Sequence, residues 1–382
     1  MIRTLDAAAR PRLLYLALYD PTNVANGTCA RGRALLAELK AHFQVSLVFL
    51  QGQFQGREDE TAVRGLHSSA PVKFTRMAYF GLSPALYLQA RRAIRDYRPD
   101  VIFADLDKAG LYGWLLGRQY GIPYVYSSHN VEYRRFLDLA RTNLLRILFV
   151  PYMYFAERLA VKKAAATIAI SEPDAAVFRR LAPGAAVHAL ALSFDEDVFN
   201  PDVQGPSTLE PVVLMVGNFD YPPNRHAARE VARRIIPAVA RSVPNVKFRF
   251  VGNGFPASLT HPNLEVAGFV DNLPAEYGRA AVVLVPVEMG GGLKIKAIEA
   301  LACGRSVVST AKGVEGIDHA EYELLRVGPL ADFPAMIIAA LKGPYSTAHN
   351  WERIRSTYSA RSQSASLVSI LKRAAGTMTR TD

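Results

Sequence analysis

Val282–Thr310 reads VVLVPVEMGGGLKIKAIEALACGRSVVST. Val282–Val287 is almost continuously apolar, the pattern of a parallel strand buried on both faces. Gly290, Gly291 and Gly292 then break the chain. Leu293–Cys303 has helical composition, Gly304 supplies a residue suited to the C′ position, and Ser306–Thr310 begins another strand. The stretch is predicted to be a βαβ unit with a glycine-rich turn. Such a turn gathers unpaired N–H groups at the positive end of a helix dipole, which makes an anion site, most naturally for phosphate. Lys294 and Lys296 fall in the first helical turn, where a cation opposes the dipole unless an anion is present. Glu299 lies in a run, AIEALA, that otherwise favours burial, so its carboxylate needs polar partners such as a ribose diol. The same letters also fit an ordinary strand–turn–helix with a solvated glutamate and two surface lysines.

The rest of the composition sets the frame. A chain of 382 residues is long for one core, and two domains are expected. Half the residues are hydrophobic and 21% are charged, which describes a globular chain and excludes disorder. Cys29 and Cys303 form no disulfide framework and lack metal-site spacing, so a reducing cytoplasm is the expected location. MIRTLDAAARPRLLYLALYD lacks a small-residue cleavage site and reads as a first strand, not a signal peptide. No run approaches roughly 18 apolar residues, so no membrane span is predicted. The net charge of +11 suits nucleic acid, an anionic membrane face or a phosphorylated small molecule, and charge alone does not choose. No nucleic-acid motif is present and the basic residues are spread over both halves, which disfavours nucleic acid.

The first half opens with a strand, Leu13–Tyr19, a polar loop, a helix over 30–42 and a strand, Val45–Leu50. That start is Rossmann-like but lacks G-x-G-x-x-G, which disfavours a nicotinamide enzyme. Residues 51–71 read as loop. A helix over Pro84–Tyr97, a strand at 100–104, a helix over 112–120 and a strand over Tyr124–Ser127 lead into Ser128-His129-Asn130. His129 stands where ligands bind in open α/β sheets, though a structural loop histidine would read the same. Residues 134–165 are basic and aromatic: LLRILFVPYMYFA (144–156) is flanked by Arg134, Arg135, Arg141 and Arg146 on one side and Arg158, Lys162 and Lys163 on the other. This region fits either contact with an anionic membrane or a core helix pair with basic ends. Ser193–Pro211 reads as the crossover between domains. Strands at 212–216, 247–251, 264–266 and 324–327, helices over 225–241, 274–280 and 330–341, and a terminal helix over 349–375 complete the second half. The expected fold is α/β: two Rossmann-like, doubly wound parallel-sheet domains with a cleft between them, over 1–200 and 201–348, with 349–382 crossing back to the first.

The motifs VGNFDYPPN (216–224), VGNG (251–254), GFVDNLPAEYGRAAVVLVP (268–286) and GGGLKIKAIEALACGRSVVST (290–310), in this order, resemble those of family 4 retaining glycosyltransferases of GT-B architecture. Ser128-His129-Asn130, ERLAVKKAAATIAIS (157–171) and LSFDEDVFNP (192–201) add a thinner likeness in the first half. The resemblance implies a metal-independent, retaining transfer of a hexose-type sugar. The donor would be a nucleotide-diphosphate sugar of UDP or GDP type, with no further cofactor. The acceptor would be a glycan or a lipid-linked saccharide in cell-surface polysaccharide or glycolipid synthesis, on the cytoplasmic side; the peripheral contact of residues 134–165 with anionic membrane is a separate reading of those residues, which would fit an acceptor on a lipid carrier. It also implies residue roles. Glu299 holds the ribose. Backbone around Gly291, Gly292, Leu293 and Lys294 holds the diphosphate, with Lys294 and Lys296 as helpers. Phe269 and Val270 read the base, and Gly217 and Asn218 face the cleft. His129 approaches the donor sugar, and Asn26, Gly27 and Asn130 lie on the acceptor side. His129, Lys294 and Glu299 are the expected catalytic residues, with no metal ligands. One departure stands out: Gly291 occupies the place of the first glutamate of the family's Glu-any-seven-Glu motif. The alternative is therefore a non-catalytic GT-B-like protein that binds a nucleotide sugar or a lipid head group.

Overall fold

The computed structural model describes residues 10–22, 27–52, 60–75, 77–78, 81–106, 108–140, 144–191, 194–202, 211–290, 293–343 and 348–376. Two compact units emerge. The first holds residues 1–137, 145–192 and 360–382, and the second 138–144 and 193–359.

In the first unit seven parallel strands line up as β3-β2-β1-β4-β5-β6-β7. They are β1 (Arg12–Ala17), β2 (Gln44–Gln51), β3 (Ser68–Lys73), β4 (Val101–Asp105), β5 (Tyr124–Ser127), β6 (Ala166–Ala169) and β7 (Val187–Ala189). The helices are α1 (Gly27–His42), α2 (Pro84–Tyr97), α3 (Ala109–Tyr120), α4 (Glu132–Ala140), α5 (Val150–Lys163) and α6 (Glu172–Leu181). Alternate residues of β1 serve opposite faces, as the strand period demands. Leu13, Tyr15 and Ala17 join Leu36 and Leu39 of α1, whereas Leu14 and Leu16 join Leu86 of α2, Leu116 of α3 and Phe178 of α6. Ser171 caps α6 by accepting the Asp174 N–H at 3.2 Å, as its place before a helix predicts.

The second unit's six parallel strands run β10-β9-β8-β11-β12-β13. These are β8 (Val212–Val216), β9 (Lys247–Val251), β10 (Leu264–Gly268), β11 (Val282–Val285), β12 (Ser306–Ser309) and β13 (Leu325–Val327). Its helices are α7 (Pro222–Glu230), α8 (Ile236–Ser242), α9 (Leu273–Arg279), α10 (Ile295–Ala302), α11 (Phe333–Leu341) and α12 (Ala348–Tyr358). A last helix, α13 (Ala360–Ala374), contributes Leu367, Val368 and Leu371 to the core face of the first unit that contains α1.

The edge strand Val187–Ala189 was not expected from the sequence, and three further elements differ for physical reasons. Ser68–Lys73 is a strand, not loop. It lies at the sheet edge with mostly exposed side chains and contains Pro71, so it lacks the apolar alternation that would reveal it. The helix expected over 225–241 is α7 and α8 joined by a π turn, Val231–Ile235, in which the Ile236 N–H reaches back to the Val231 carbonyl. Pro237 follows at once and has no N–H to give, which favours a local shift of the ladder. The single terminal helix is two, broken at Ser359, which bridges to Phe194. Pro151, which the sequence puts inside an apolar segment, stands in the first turn of α5, where its missing N–H is harmless.

Candidate functional site

In the second unit the strand order reverses between β8 and β11. The carboxyl ends on either side of such a switch point form the natural ligand crevice of an open α/β sheet. Side chains are kept away from this edge. Gly217, Gly252 and Gly268 stand at the ends of β8, β9 and β10, joined by the Gly217 N–H to Val251 carbonyl bond (2.9 Å) and the Gly252 N–H to Gly268 carbonyl bond (2.7 Å). Gly252 has φ +127°, and a Cβ there would lie 2.0 Å from the Gly217 carbonyl oxygen. Only glycine fits. Asn224, in the first turn of α7, donates to the Asn218 carbonyl at 2.9 Å and fills the space beside Gly217.

On the other side of the switch, Gly290 has φ +94° and is buried against Tyr221 and Pro223. Leu293 is buried and Lys294 is the N-cap residue of α10. Among the described residues its N-cap residue makes no side-chain cap and its first turn holds no carboxylate, which leaves the positive end of the helix open to an anion. The Lys296 ammonium donates to the Val216 carbonyl (2.9 Å) and to Asn224 Oδ1 (3.1 Å), tying α10 to the end of β8 and the start of α7. Burial lowers Lys296 to about 8, with Lys294 adding to the shift and Glu299 opposing it. Glu299 is 5% exposed and accepts a hydrogen bond from Tyr277 Oη at 2.8 Å. Burial pushes Glu299 up to about 7, against the pull of Tyr277 and Lys296. Both groups therefore titrate close to neutrality.

The first unit has its own polar centre at the carboxyl ends of β1, β4 and β5. Asp105 is fully buried and accepts hydrogen bonds from Tyr15 Oη (2.8 Å) and from Tyr19 Oη, while its other oxygen meets His129 Nε2 at 2.9 Å. Burial alone would raise Asp105, but His129, Arg31 and Tyr19 hold it well below the usual carboxylate range. Burial keeps His129 low, and Arg31 adds to that against the pull of Asp105. The pair is thus a carboxylate and a neutral imidazole that donates through Nε2. Arg31, on α1, is 3% exposed and reaches Ser127 Oγ at 3.5 Å. Among the described residues its Nε and Nη1 have no hydrogen-bond partner. Gly32 allows the close approach, because a Cβ there would lie 2.5 Å from Tyr19 Oη.

The family model described as "Glycosyl transferases group 1" matches residues 210–342, and "Glycosyl transferase 4-like domain" matches residues 26–192. This chain belongs to the group 1 glycosyltransferases. No curated protein matches its sequence. Solved structures share the GT-B fold of this glycosyltransferase. Sucrose-phosphate synthase from Thermosynechococcus elongatus is 19% identical with a TM-score of 0.71, over 97% of this chain and 100% of that one. HepE from Anabaena in complex with UDP is 14% identical with a TM-score of 0.68, over 95% and 100%. WaaG, a glycosyltransferase involved in lipopolysaccharide biosynthesis, is 15% identical with a TM-score of 0.66, over 94% and 99%.

Within this glycosyltransferase the structure brings Gly217, Asn218 and Lys296 together through Asn224, with Lys294 beginning the same helix and Glu299 one turn further along it. Phe269 (41% exposed) and Val270 follow the end of β10 on the same edge of that sheet. His129 and Asn130 belong to the first unit, as does Gly27, which opens α1. Asn26, Gly291 and Gly292 lie outside the described residues. Reasoning from sequence did not single out Asn224, Tyr277, Tyr15, Tyr19 or Arg31. One signal was available: tyrosines at 15 and 19 punctuate an otherwise apolar strand, and a buried phenol calls for a partner.

Proposed function

We propose that this glycosyltransferase moves a hexose-type sugar from a nucleotide-diphosphate sugar, of UDP or GDP type, to a glycan or lipid-linked acceptor, with retention of anomeric configuration and without a metal ion. The observation that carries the reading is the uncapped α10 N-terminus beside Lys294, one turn from a buried Glu299, at the switch point of the second sheet. The α10 amides and Lys294 would stabilise the leaving diphosphate, the role a metal ion fills elsewhere. Glu299 would accept the ribose hydroxyls, and the Gly217–Gly252–Gly268 edge leaves room for the nucleotide. HepE, which shares the fold, is known with UDP and with UDP-glucose, which supports a donor of this class. His129, kept neutral by burial and oriented by Asp105, would be the residue that approaches the donor sugar. With Asp105 saturated by Tyr15, Tyr19 and His129, that carboxylate is committed to positioning.

Thermal shift with UDP, GDP and ADP and their sugars, with magnesium and with chelator, tests the donor site. Stabilisation by one nucleotide with chelator present, lost in Glu299→Ala, is the expected result. Stabilisation that needs magnesium, or that survives in Glu299→Ala, refutes the corresponding part. Binding without transfer remains the second reading because Gly291 replaces the motif's first glutamate. Hydrolysis of the bound donor when acceptor is withheld separates the two.

A further inference from the structure

Seven of the seventeen large hydrophobic side chains exposed among the described residues fall within residues 145–155. Leu145, Leu148 and Phe155 are 68%, 71% and 65% exposed. The 3₁₀ segment Leu144–Phe149 contains no buried residue, although every position but Arg146 is apolar. A patch of this kind on a folded protein marks a surface that meets something apolar. It is not a frayed end. The inner side of α5 is anchored by buried Met153, Ala160 and Val161. The Tyr124 hydroxyl bonds the Ala160 carbonyl at 2.7 Å, and Glu157 accepts the Glu132 N–H at 2.9 Å, clamping the start of α4. The outer side is therefore held out by a fixed scaffold.

Among the described residues of this region the exposed charges are positive. Arg134, Arg158, Lys162 and Lys163 are exposed, Glu132 and Glu157 are buried, and Asp138 is partly buried. We propose that residues 145–163 form a docking surface for an anionic lipid bilayer, with the apolar side chains entering the interface and the cations meeting the head groups. A second copy of the chain would bring two cationic rims together, which opposes self-association. Among the described residues no helix is long and apolar enough to cross a membrane, so the surface lies on the bilayer. Because α4 begins two residues after Asn130 and is clamped by α5, the lipid-facing element and the His129 loop share one joint. A lipid-borne acceptor would then arrive beside the carboxyl edge of the first sheet, a step that rests on the transfer reading above.

Flotation of the full chain with vesicles tests the surface. Vesicles of phosphatidylcholine mixed with phosphatidylglycerol should carry the protein, vesicles of phosphatidylcholine alone much less, and added salt should release it. The Leu148→Ser/Phe155→Ser variant should lower the bound-to-free ratio about tenfold. Lys162→Gln/Lys163→Gln should weaken binding to the anionic vesicles alone. All four side chains are exposed, so melting temperatures should stay put. Equal flotation of Leu148→Ser/Phe155→Ser and wild type, or none by wild type, overturns the proposal. So does a dimer in gel filtration that dissociates on the same substitution. UDP thermal shift on the same preparations keeps the two readings apart. A protein stabilised by UDP that ignores vesicles loses the surface and keeps the donor site; one that floats but ignores every nucleotide keeps the surface and loses the acceptor step.

Discussion

Glu299 and Lys296 are a carboxylate and an ammonium a helical turn apart whose shifts, to about 7 and about 8, leave a narrow window in which both are charged. If the ribose and diphosphate occupy this place, nucleotide affinity should follow a bell in pH. The acid limb is set by ionisation of Glu299 and the alkaline limb by deprotonation of Lys296. Titration calorimetry across the neutral range checks this, and Glu299→Gln should erase the acid limb alone. Stability carries its own signature. Glu299 is raised in the folded state, so its favourable contribution is full below its ordinary 4.5 and is lost as pH rises through about 7. Relative to wild type, Glu299→Gln should therefore gain stability between those values, on the order of 3 kcal/mol. A urea midpoint difference that does not change with pH contradicts it. Asp105 has the opposite sign: its value is depressed, so its contribution is present above the ordinary carboxylate range and is lost as pH falls toward the folded value. Asp105→Ala should destabilise by roughly 3–5 kcal/mol, because it leaves two phenols and an imidazole without their acceptor. Asp105→Asn, which keeps an acceptor, should lose less.

At the level of elements, the glycine row at the carboxyl edge makes a sharp prediction. Gly252→Ala forces a Cβ against the Gly217 carbonyl in a backbone region that L-residues avoid. It should lower stability by on the order of 3 kcal/mol and weaken nucleotide binding as β8 and β9 part at their ends. Loss of one effect without the other would separate the edge from the site. The sequence made much of this legible. Val212–Val216 and Lys247–Val251 are strands at the predicted bounds: the first, VVLMV, reads as the apolar run of a buried parallel strand, and the second, KFRFV, alternates polar and apolar positions. The glycine-rich entry to α10 was readable because φ above zero and an open helix end leave few residue choices. What could not be read is what depends on partners distant in sequence. Asn224 matters because Lys296 reaches it 72 residues away, and Asp105 matters because Tyr15 does so across 90. The edge strand Ser68–Lys73 was missed because pairing on one side leaves its side chains no apolar pattern to obey.

For the whole molecule, the division of the chain between two units has measurable effects. Leu371 is fully buried in the core of the first unit although it comes from residues that follow the second. Leu371→Ala should destabilise by about 2–5 kcal/mol. Hydrogen exchange should rise in β1 and α1 and remain unchanged in β8 to β13. UDP should raise protection at the carboxyl ends of β8 and β11, and equal protection across both units would argue against a donor site housed in the second. The same return of the chain sets an order of events at the ribosome. The first unit begins synthesis first, yet its core lacks α13 until the 167 residues from 193 to 359 have been translated. At elongation rates of roughly 5–20 residues per second, that wait lasts on the order of ten to thirty seconds. During it, the face of α1 that α13 later covers is open to chaperones, while the second unit can complete its sheet. The unit made last is thus the first to be finished.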